Sequence, residues 1–122
     1  MPDVKFEDHG GERILVINFS NAKDSQDIIK TAEEAMRLVR TINQQRSVRG
    51  LLDLSGTSLN KVVRETMRKM SKNNGPYMKS VAFVGLGVLL SPLFKVLLFV
   101  GGKSNHRVFS TRNDAFDWLV KN

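Results

Sequence analysis

Apolar and polar positions alternate along this chain with two different periods, and the switches between them mark the elements. Val4 and Phe6 alternate with polar neighbours, His9-Gly10-Gly11-Glu12 turns the chain, and residues 13–19 (RILVINF) follow as a second, more apolar strand. Gly-Gly between two strand patterns predicts a hairpin, so the two strands are expected to be antiparallel with the first at an edge. Asp24, Ser25 and Asp27 suit a helix N-terminus. Ile28, Ile29, Ala32, Ala35, Met36, Val39 and Ile42 then fall at helical spacing, predicting one long helix to Asn43 or Gln44.

The stretch Gly50-Leu51-Leu52-Asp53-Leu54-Ser55-Gly56-Thr57-Ser58 organises the rest. It reads as a short apolar strand that stops at an acid, turns through small polar residues and delivers them to a helix starting at Asn60 or Lys61. Open α/β folds place their ligands at such strand ends. The helix is predicted over 60–72, with Val62, Val63, Thr66, Met67 and Met70 as its buried stripe, and Asn73-Asn74-Gly75-Pro76 ending it. Residues 80–84 (SVAFV) read as a central strand, apolar on both faces. An apolar helix over 88–100, a short strand at 107–109 and a last helix capped by Thr111, Asn113 or Asp114 complete the chain. The order β-β-α-β-α-β-α-β-α predicts an α/β domain over residues 1–122, its sheet mostly parallel with an antiparallel N-terminal edge strand.

Length and composition narrow the chemistry. At 122 residues and 41% hydrophobic, the chain can bury one core without staples, and with no cysteine it has neither disulfides nor thiol chemistry. Its acidic, alternating start is the opposite of a secretory signal, so a cytoplasmic location is expected, with a peripheral membrane location as the alternative. The net charge of +7 is concentrated in residues 36–79, where ten Lys and Arg face only Asp53 and Glu65. Such a field favours anionic partners, although a solvated surface explains it equally well.

Each candidate motif has a plain structural alternative. Asp53, Ser55, Thr57 and Ser58 could form a partner- or anion-binding loop at a helix N-terminus, or simply cap the helix and turn the chain. Lys61, Arg64, Arg68, Lys69 and Lys72 make a basic surface, but no aromatic residue is interleaved with them and Tyr77 is the one nearby stacking candidate, so nucleic acid is not favoured. Gly101-Gly102-Lys103-Ser104 would need glycine at position 97 to be a phosphate loop, and that residue is Leu97; the Gly85-Leu86-Gly87 pair lacks its third glycine at Leu90. His9 and His106 are isolated, and neither a metal set, a cofactor motif nor an acid–base pair is visible, so no enzyme is expected. The apolar run from 81 to 101 is broken by Gly85, Gly87, Pro92 and Lys95, which argues against a membrane-spanning helix. Leu89, Leu90, Leu93, Phe94, Leu97 and Leu98 nonetheless exceed what one sheet can cover, which points first to a homodimer contact, then to an apolar ligand or membrane surface, then to deep core.

The element order, Gly50-Leu51-Leu52-Asp53-Leu54-Ser55-Gly56 at the strand end, and Val108-Phe109 followed by Asp114-Ala115-Phe116-Asp117-Trp118-Leu119 resemble the SpoIIAA-like fold of STAS domains (sulphate transporters and anti-sigma-factor antagonists). Within it, the chain is similar to small bacterial SpoIIAA-like, Sec14-like proteins. The resemblance covers nearly the whole chain through short motifs. It implies a non-enzymatic, homodimeric regulatory module that binds a protein partner or, as the alternative, a Sec14-like carrier or sensor of an apolar or lipid ligand at an anionic membrane. In anti-sigma-factor antagonists a serine past this strand is phosphorylated, and by position that loop is Ser55 to Ser58. Their aspartate-serine-serine/threonine-glycine run is replaced here by Thr57-Ser58-Leu59-Asn60-Lys61.

Overall fold

The computed structural model describes residues 2–58, 60–85 and 105–122. They form a five-stranded sheet in the order β1-β2-β3-β4-β5, with β1 (Asp3–His9) antiparallel to β2 (Glu12–Asn18) and β3 (Val48–Asp53), β4 (Met78–Val84) and β5 (Asn105–Phe109) each parallel to its neighbour. The hairpin is closed by Gly10-Gly11, as its sequence predicts. Helices α1 (Ser25–Ile42), α2 (Lys61–Asn74) and α3 (Arg112–Lys121) are present among the described residues. The apolar helix expected over 88–100, with Leu89, Leu90, Leu93, Phe94, Leu97 and Leu98, lies outside them, as does the Gly101–Ser104 stretch.

Two cores explain why β2 is apolar on both sides. Leu15, Ile17 and Phe19 join Ile28, Ala32, Ala35 and Val39 of α1 and Val63, Met67 and Met70 of α2. On the opposite face Ile14, Val16, Leu51, Ala82 and Val84 meet Ala115 and Leu119 of α3. A strand covered on both faces has no reason to alternate.

Local chemistry sets the helix ends. Asp24 caps α1, accepting from the Gln26 N–H at 2.8 Å, and Asn43 ends it in the left-handed conformation that asparagine tolerates. Asn60 caps α2 by accepting from the Val63 N–H at 3.0 Å. That helix runs two residues past its expected end: Gly75 stays right-handed helical, and Gly75–Tyr77 continue as a 3₁₀ turn before β4. The buried stripe is also narrower than its sequence predicts. Val63, Met67, Met70 and Asn74 face inward, whereas Val62, one residue and therefore about 100° away, is 40% exposed. Thr66 lies at the edge of the stripe and turns its hydroxyl back to the Val62 carbonyl.

Candidate functional site

The C-terminal ends of β2, β3 and β4 converge at one end of the sheet, and three polar side chains meet there on the α3 face. Asn18 ends β2 and is directly paired with Asp53, which ends β3. Arg112 opens α3, whose N-cap is Thr111. Its Nε donates to Asp53 Oδ2 at 2.7 Å and its Nη2 to Asn18 Oδ1 at 2.9 Å. Asp53 Oδ1 accepts the Ser55 N–H at 2.9 Å, so both carboxylate oxygens are engaged. The Asp53 side chain is 6% exposed and that of Arg112 34%, so the guanidinium is a partly wetted lid on a buried carboxylate. Asn18 also accepts from the Ser20 backbone and hydroxyl and donates to Asp3, carrying the network to the edge of the sheet.

Backbone bonds press the loops above this knot together. Strand pairing continues past β3 through the Phe19 N–H to the Asp53 carbonyl (2.9 Å), the Asn21 N–H to the Ser55 carbonyl (2.7 Å) and the Leu54 N–H to the Val84 carbonyl (2.9 Å). Gly85 sits at φ +128°, and a Cβ there would stand 3.2 Å from the Ser55 nitrogen. Glycine is required at that contact on both counts.

Within this frame the loop residues divide. Asp53 is buried and structural in its contacts. Ser55 is half-buried, and the half-buried Thr57 turns its hydroxyl to the Phe19 carbonyl. Ser58 is exposed, with Asn21 and Gly56, on the outer rim. Lys61, Arg64, Arg68, Lys69 and Lys72 are all exposed on α2, and none of them joins the Asp53–Arg112–Asn18 hydrogen bonds. Not every cation of the central basic stretch is available to a partner: Arg49, only 15% exposed in its side chain, donates to the Leu119 carbonyl at the end of α3 and to Glu12, whereas Arg40 is exposed and donates Nη1 to the neutral Asn73. The Arg37 guanidinium, bonded to Glu34 on the outside of α1, holds that carboxyl below its ordinary value and is itself raised.

Sequence reasoning missed Asn18 and Arg112. Both carried a signal: Asn18 breaks an apolar strand at its end, as Asp53 does, and Arg112 places a cation in the first turn of a helix, where the dipole disfavours it unless an acid is near. No group of three or more His, Asp or Glu suited to a metal occurs among the described residues, and no helix among them is long and apolar enough to cross a membrane.

Neither a protein-family model nor a curated protein matches the chain. Among solved structures, it is similar to an uncharacterised protein of the DUF3478 family with a SpoIIAA-like fold from Shewanella loihica PV-4. The TM-score is 0.67 and the identity 17%, with 98% of this chain and 95% of that one covered. The chain has a SpoIIAA-like fold.

Proposed function

We propose that this chain is a non-enzymatic regulatory module that recognises a protein partner with the strand-end rim formed by Ser20, Asn21, Gly56 and Ser58, and works as a homodimer. The observation that carries the reading is the Asp53–Arg112–Asn18 knot. Its polar groups spend their hydrogen-bonding capacity on fixing three loops, leaving a shaped rim above an immobile base. Such preorganisation suits recognition, because loop ordering is not charged to binding. The homodimer rests on composition alone, through the apolar residues between Leu89 and Leu98. Replacing Leu93 and Phe94 with glutamate is expected to give a soluble monomer by light scattering after size exclusion; a mutant as dimeric as the parent, or a parent that is monomeric, refutes that part. Partner recognition is tested by pull-down with Ser58→Arg, which is expected to lose what the parent captures.

A carrier of an apolar or lipid ligand is the second reading. It is favoured by a cavity lined in part by Ile17, Leu52, Met70, Met78, Val81 and Phe83, next to basic α2. The cavity measures about 50 Å³, room for water but not for an acyl chain, so among the described residues it ranks second. Flotation with anionic liposomes separates the two: salt-sensitive binding by the parent favours the carrier.

A further inference from the structure

At the other end of the sheet, where α1 and α2 finish, the two helices leave an open groove between them. It is lined by Glu33, Met36, Arg37 and Arg40 of α1 and Lys69, Lys72 and Asn73 of α2, with a volume of about 740 Å³. A second depression of about 210 Å³ shares Glu33, Met36 and Lys69 and continues it over Ile29, Ala32 and Thr66 to Glu65. Together they have the size of a small-molecule site.

The charge in this groove exceeds what the helices need. Arg40 and Lys72 lie in the last turns of α1 and α2, where cations offset the negative end of the helix dipole. Arg37 and Lys69 lie a turn earlier and have no such role. Of the four cations, Arg37 is paired with Glu34, and Glu33 and Glu65 also lie in the lining, neither of them in an ion pair with the other three. Arg40, Lys69 and Lys72 form no ion pair among the described residues, and the seam they face is held at a defined place. Arg40 Nη1 donates to Asn73 Oδ1 at 2.9 Å, and the Asn73 amide reaches back towards the Met36 carbonyl, so the α1–α2 seam is tied where the cations gather. Because Asn73 is neutral, Arg40 keeps its full charge. Lys69 and Lys72 have no ion-pair partner among the described residues.

We infer that the α1–α2 groove binds a phosphate monoester. The dianionic phosphate lies among Arg40, Lys69 and Lys72, and an apolar body extends over Met36, Ala32 and Ile29 towards Glu65. Three cations without ion-pair partners face one place in the groove, and a phosphate dianion recruits several charge-assisted hydrogen bonds at once. The exposed Arg37–Glu34 pair costs little to rearrange, so Arg37 can join. This inference is independent of the strand-end rim, which lies at the opposite end of the strands.

The phosphate can come from a soluble ester or from a monoester lipid headgroup, and two probes separate the sources: phenyl phosphate, and phosphatidylcholine vesicles with and without phosphatidic acid. Calorimetry and flotation are run on the full chain, on Arg40→Gln/Lys69→Gln/Lys72→Gln, and on Lys23→Gln/Lys61→Gln/Arg68→Gln, which removes equal charge outside the groove. Phenyl phosphate is expected to bind, more weakly as salt rises, to shift the Asn73 side-chain amide resonances in the parent, and to lose at least about tenfold in affinity in the groove triple alone. Binding of phosphatidic acid vesicles without phenyl phosphate binding, with the same dependence on the groove triple, assigns the site to a lipid headgroup. Binding of neither probe, or equal weakening by both triples, overturns the inference.

Discussion

Replacing Arg112 with methionine tests the strand-end knot at the member that contacts both of the others. The substitution keeps much of the aliphatic stem and removes two hydrogen bonds, 2.7 Å to Asp53 and 2.9 Å to Asn18. Asp53, 6% exposed in the parent, is left with the Ser55 N–H as its remaining protein donor. Breaking a fully buried ion pair by removing one partner costs about 3–5 kcal/mol. Here the departing guanidinium was 34% exposed, so water reaches the vacated position and the cost falls to about 2 kcal/mol, the range of a hydrogen bond to a charged group. Urea unfolding of the parent, Arg112→Met, Asp53→Ala and the double mutant gives the coupling directly. Because each single change orphans the other residue, the double mutant is expected to be more stable than the sum of the singles implies, by about 1.5–3 kcal/mol. A cost below about 0.5 kcal/mol for Arg112→Met, or additivity in the cycle, refutes the knot as the element that fixes the loops.

Three further outcomes follow from other contacts. Gly85→Ala forces a Cβ into a left-handed position 3.2 Å from the Ser55 nitrogen, so it is expected to destabilise by about 1–3 kcal/mol in the same urea assay and to broaden the amide signals of Ser55 and Gly56. Val63→Lys places a charge in the core and is expected to prevent folding as judged by circular dichroism, whereas Val62→Lys, at the 40% exposed neighbouring position, is expected to stay within about 0.5 kcal/mol of the parent. The Glu34 carboxyl, lowered by its hydrogen bond to Arg37, contributes stability that is present above its ordinary unfolded value and is lost as pH falls through the lowered folded one. The pair is fully solvated, so Glu34→Gln is expected to leave the melting temperature unchanged at physiological salt, while a carboxyl titration by NMR detects the lowered midpoint.

The fold was legible because its signals are local. Gly10-Gly11 between two strand patterns, the capping residue Asp24, the start of α2 at Asn60 or Lys61, and the helical spacing from Ile28 to Val39 each act within a few residues, and each appears as expected. The errors also have local causes. A loose helical template places Val62 in the core because it stands beside Val63, while the observed stripe of Val63, Met67, Met70 and Asn74 is narrower. The Asn73-Asn74-Gly75-Pro76 run ends α2 as its sequence predicts, with Gly75 as the C-cap, but the helix reaches Asn74 rather than Lys72 because Gly75 stays right-handed and Pro76 continues into a 3₁₀ turn before β4. The Asp53–Ser58 stretch stood out at the end of an apolar strand. Its partners did not, because Arg112 is 59 residues from Asp53 and Asn18 is 35 away, and only the parallel pairing of β2 with β3 and the return of α3 to the sheet bring them together.

Site-specific photo-crosslinking in the native host tests the recognition surface most directly. A photoreactive residue is placed in turn at Asn21 and Ser58 on the rim, and at Lys121, exposed at the far end of α3. The result expected is one discrete protein adduct from the rim positions, absent from position 121 and lost when Arg112→Met loosens the base. Adducts of equal intensity from all three positions, or none from the rim, would contradict a partner-binding strand end.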